Sequence, residues 1–129
     1  MKMASEDLKN GFIDALVMAP SCHSVETTQA SFLVSTFGKP EALRLLVSDY
    51  MRVGLATDDM PLRDALAKID TEMVAKKLIT LSLSLKTDFG INGPKIAVMG
   101  LEPHAGSADA TKHDGLVEKA VAEAKKVGV

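Results

Sequence analysis

Apolar residues run almost unbroken from Phe12 to Ala19, with Asp14 the exception. Such a run predicts a strand buried on both faces, ended by Pro20-Ser21. A helix is expected over residues 26–37, with Gly38 after its end and Lys39-Pro40 barring continuation. Residues 42–48 and 51–57 then read as two strands joined through Asp49-Tyr50. That link is too short for a parallel crossover, so the two should pair antiparallel, with alternation free to turn Arg44 and Arg52 toward solvent. The clearest helix follows: Asp70 or Thr71 can cap it, and Val74, Leu78, Leu81 and Leu85 form one stripe at helical spacing. It should end near Phe89-Gly90, before the turn signal Asn92-Gly93-Pro94. A second apolar strand is predicted at 95–101. A last helix is predicted over 114–127, capped by Asp114, with Leu116, Val117, Ala120, Val121 and Ala124 inward and Gly128 beyond it. The order β-α-β-β-α-β-α predicts an α/β fold, a three-layer α/β/α arrangement with a mixed, mostly parallel sheet, in a single domain spanning 1–129.

Composition narrows the function classes. The chain has 129 residues, 47% apolar and 25% charged, so it can build a core of its own. Aromatics make up 4% and Trp is absent, which leaves that core to Leu, Val, Ile, Met and Ala. The formal net charge is −2, without a basic stripe interleaved with aromatics, which argues against nucleic acid as a partner. No apolar run approaches the roughly 20 residues that cross a bilayer, so no membrane partner is expected. The polar, acidic start Met1-Lys2-Met3-Ala4-Ser5-Glu6-Asp7 is unlike a secretory signal. Cys22 is the sole cysteine, which rules out an internal disulfide and fits a reducing cytoplasm.

In open α/β sheets, ligands gather at the carboxyl ends of strands. Three segments hold such positions: Ala19 to Ser24, Ala56 to Pro61, and Leu101 to Asp114. The third is the richest. Glu102 and His104 flank Pro103, Gly106 lets backbone approach a ligand, and the following helix start favours a phosphate or carboxylate. A polar loop that only caps a helix has the same pattern. His104 and His113 match no metal-binding spacing. Asp58-Asp59 suits a hard cation or simply opens the turn before Pro61. Cys22 and His23 are adjacent, so in extended backbone they point opposite ways and His23 is poorly placed to activate the thiol. The chain contains no G-x-S-x-G, G-x-G-x-x-G or Walker motif.

At these same loops the sequence resembles the 4-hydroxythreonine-4-phosphate dehydrogenase family of pyridoxal phosphate biosynthesis. Ile13-Asp14-Ala15-Leu16-Val17-Met18-Ala19-Pro20 is similar to the family's "ALVTAP" strand end. Arg52-Val53-Gly54-Leu55-Ala56-Thr57-Asp58-Asp59-Met60-Pro61-Leu62 resembles "RVALATTHLPL". Asp88-Phe89-Gly90-Ile91 with Pro94-Lys95-Ile96-Ala97-Val98 resembles "FGI…PRIAV", and Gly100-Leu101-Glu102-Pro103-His104-Ala105-Gly106 resembles "GLNPHAG". The last is the most specific.

The resemblance implies one half of an isocitrate/isopropylmalate dehydrogenase-like fold. It also implies NAD, a divalent metal and a small phosphorylated substrate that is oxidised at its hydroxyl and then loses carbon dioxide. A homodimer is implied as well. Glu102, His104 and Gly106 fall in the family's substrate- or cofactor-binding loop, and His23 lies near the lysine of "TAPINK". Two metal-ligand positions carry other residues: Gln29 stands where "GHTEF" has its histidine, and Asp59 where "TTHLPL" has one. The third family histidine lies in a "YHDQG" segment absent from this chain. Asp59 is an acceptable metal ligand and Gln29 a poor one. The expectation is a dehydrogenase-family chain that does not catalyse the reaction by itself. The alternative is a non-catalytic anion-binding or assembly domain that retains the fold.

Overall fold

The computed structural model describes residues 1–19, 29–39, 42–57, 60–101 and 110–129, the last stretch as backbone only through residue 114. The described elements are α1 (Lys2–Lys9), α2 (Gln29–Phe37), β1 (Arg44–Val47), β2 (Arg52–Leu55), α3 (Leu62–Lys68), α4 (Thr71–Thr87) and α5 (Ala110–Lys126). The protein is thus mixed α/β. The chain divides into two compact units, Met1–Ala42 and Leu43–Val129.

In the first unit, α1 forms over the polar, acidic start, for which no element is predicted from the sequence. It has no long apolar stripe to announce it, and its one buried residue is Ser5, whose hydroxyl donates to the Met1 carbonyl at 3.0 Å. The Lys9 ammonium donates to the Thr36 carbonyl at 2.9 Å, which sets a cation on the negative end of α2. Helix α2 stops as expected. Gly38 adopts φ +61°, and the Lys39 and Gly38 amides donate to the Val34 and Ser35 carbonyls, a Schellman closure.

Residues 12–19 depart from the expected buried strand. They join no sheet ladder among the described residues, and Phe12 and Val17 stand 77% and 96% exposed. An apolar run has strand propensity, but a strand exists only when another backbone takes up its N–H and C=O groups.

The second unit contains the two-stranded sheet, antiparallel as the short link requires, with Val47 opposite Arg52 and Arg44 opposite Leu55. Ser48 closes the turn twice. Its amide donates to the Met51 carbonyl at 2.9 Å, and its hydroxyl oxygen accepts from the Met51 amide at 3.1 Å. Arg52 is exposed, and its guanidinium lies 4.8 Å above the Phe89 ring centre, whereas Arg44 is half-buried. Helix α3 was not anticipated. Its signals are short-range: Pro61 before its first turn, Asp64 in that turn, Lys68 in the last, and only Ala65 buried.

Helix α4 begins where expected, with the Asp70 carboxylate accepting from the Met73 amide at 2.7 Å. Val74, Ala75, Leu78, Ser82 and Leu85 form its buried face. Leu81 meets the hairpin at Gly54, where a Cβ would lie 3.3 Å from a Leu81 methyl. On α5, Ala120 and Ala124 are 0% and 2% exposed and pack with Val74, Ala75 and Leu78, so the small residues bring the two helices close. Leu116 and Val121 join this core from the side. The start of α5 corrects the expectation. It begins at Ala110, so Asp114 lies inside the helix and does not cap it. The apolar stripe begins at Leu116, and backbone hydrogen bonding carries the helix further back than the stripe reaches.

Residues 95–101 are likewise without a ladder partner among the described residues. Ile96 packs on the α4–α5 core, while Met99 is 88% exposed. The single antiparallel hairpin therefore replaces the expected mostly parallel sheet among the described residues, for the same reason as at 12–19.

Candidate functional site

The three chemistry-bearing segments sit at joints of this framework. Residues 20–28 precede α2, residues 58 and 59 lie between β2 and α3, and residues 102–109 lead into α5. His23, Asp59, Glu102, His104 and Gly106 fall within them and lie outside the described residues, as do Cys22 and Asp58. The structure describes what holds these segments at either end.

Gln29 is the predicted site residue that is described. It opens α2, and its side-chain Nε2 donates to the Ala19 carbonyl at 3.0 Å. The residue after segment 20–28 is thus tied to the residue before it, which fixes the separation of the segment's ends. The same bond bears on a metal at this position. Gln29 is a neutral carboxamide with its nitrogen committed to backbone, and its oxygen is a weak donor compared with an imidazole. Among the described residues, no three His, Cys, Asp or Glu side chains converge as a metal-binding group. The described residues do not fit a divalent-metal site.

In the second unit, the helix after segment 102–109 starts at Ala110, so its unpaired N–H groups come immediately after that segment. Its other end is set by residues 95–101. There Ile96, Val98 and Gly100 form one wall of an open groove of about 640 Å³. The opposite wall is α5, through Val117, Glu118, Val121, Ala122 and Lys125. The sequence reading assigned Val117 and Val121 to the core and gave Glu118 and Lys125 no role. Their spacing of seven, with Val121 and Ala122 between, was the available signal.

One carboxyl group is electrostatically marked. Asp88 accepts from the Ser84 hydroxyl and from the Thr87 hydroxyl, the latter at 2.8 Å, and these bonds hold its pKa below the usual 3.8. It is solvent-exposed at the C-terminal end of α4 and acts as a local closure of that helix.

Comparison with known proteins identifies this framework. The family described as "Pyridoxal phosphate biosynthetic protein PdxA" matches residues 1–129. The chain belongs to the PdxA family. A 4-hydroxythreonine-4-phosphate dehydrogenase of Bacteroides thetaiotaomicron is 35% identical over 114 residues, covering 82% of this chain and 31% of that protein. The enzyme of the same name from Acidithiobacillus ferrooxidans is 33% identical over 114 residues, covering 83% and 34%. The one from Thioalkalivibrio sulfidiphilus is 36% identical over 104 residues, covering 75% and 31%. The chain therefore spans about a third of the length of the curated relatives it matches. No solved structure matches it. Among the described residues, no helix is long and apolar enough to cross a membrane.

Proposed function

We propose that this PdxA-family chain supplies part of an NAD-dependent 4-hydroxythreonine-4-phosphate dehydrogenase, which oxidises and decarboxylates a phosphorylated hydroxy amino acid, and that it is not self-sufficient. One observation carries this reading. The family match runs over residues 1–129, yet the chain spans only about a third of its dehydrogenase relatives. In this reading Glu102, His104 and Gly106 contact substrate or cofactor. A phosphate is held at the start of α5, and His23 is a further substrate- or cofactor-binding residue. NAD and a divalent metal belong to the reaction by family resemblance. Gln29 is not one of the metal's ligands.

The finer fold belongs to the same proposal. Residues 12–19 and 95–101 become strands of a mostly parallel sheet in a single three-layer α/β/α domain, in a cytoplasmic homodimer. Their support is that both are apolar runs without a ladder partner among the described residues, and near-continuous apolar runs are what strands buried on both faces of a parallel sheet carry. Calorimetric titration of the chain with NAD and with the phosphorylated substrate, beside an assay of NADH formation, tests the function. The expected result is binding of the phosphorylated substrate, weakened at least tenfold by His104→Ala, without NADH above background. NADH formation that a chelator abolishes overturns the claim that the chain is not self-sufficient.

A second reading is a non-catalytic anion-binding or assembly domain, favoured by the Gln29 amide being spent on Ala19 where the family has a metal-binding histidine. Binding of inorganic phosphate together with silence toward NAD selects this reading.

A further inference from the structure

We draw no further inference here: the strongest candidate, the exposed apolar patch that Leu46, Val47, Tyr50 and Met51 form at the tip of the β1–β2 hairpin, carries none, because nothing in the structure shows what covers it.

Discussion

Replacing Ser82 with alanine puts the packing of α4 to a direct test. Ser82 is 2% exposed on the same helical face as Val74, Leu78 and Leu85, and its hydroxyl oxygen has no hydrogen-bond partner among the described residues. In the unfolded chain water satisfies that hydroxyl; in the folded chain no described residue does, and a buried hydroxyl left so costs about 1–3 kcal/mol. Alanine removes the hydroxyl, leaves a space smaller than a methyl group, and is the better helix former by a few tenths of a kcal/mol. Part of the gain is offset by lost dispersion contacts of the oxygen with its neighbours. The net expectation is that Ser82→Ala stabilises the protein by about 1 kcal/mol, equivalent to a rise of roughly 3–4 °C in Tm for a chain of this size. Urea titration followed by circular dichroism should show a higher midpoint with an unchanged slope, since the exposed surface of the unfolded state does not change. A loss of stability of 0.5 kcal/mol or more would refute the reasoning, because it would mean that the hydroxyl is satisfied in solution. Ser82→Val supplies the control: it also lacks the hydroxyl but adds a branched side chain to a tight helix contact, and should fall below the alanine variant.

Two further outcomes follow from the ends of the same helix. Asp70→Ala removes the carboxylate that accepts from the Met73 amide and should lower stability by about 1 kcal/mol in the same urea titration. At the other end, the Asp88 pKa is depressed in the folded protein by hydroxyl donation from Ser84 and Thr87. Its contribution is therefore fully present above the usual carboxylate value of 3.8 and is lost as the pH falls below that value through the folded pKa. Thermal melts from neutral pH down through this acidic range should show a steeper loss for wild type than for Asp88→Asn, and parallel curves for the two would remove Asp88 from the account.

How much of the fold could be read from the chain depends on how far apart the interacting residues lie. The hairpin was legible because a two-residue link leaves antiparallel pairing as the only outcome, and the structure pairs Val47 with Arg52 accordingly. The α4 stripe and the closures at Gly38 and Gly128 were legible because spacing along one helix and a left-handed glycine are local properties. Helices α1 and α3 were overlooked because they are short and bury one residue each, so no stripe marks them. The candidate site is read from loop chemistry and family resemblance, and its residues other than Gln29 lie outside the described residues. What the structure added is the Gln29 tie to Ala19, a contact that neither residue's neighbours in the chain imply.

By itself, then, the sequence determined the elements whose bonds close within a few residues, and the family to which the chain belongs. The tertiary structure decided that the apolar runs stay outside the sheet ladder among the described residues. Residues 12–19 and 95–101 have the composition of strands, but strand hydrogen bonds are made with another part of a chain, and composition does not name that part. It decided, too, that Ala120 and Ala124 would be the most buried of the described side chains of α5. A small side chain becomes a core residue only when another helix comes close enough to cover it, and α4 does so here.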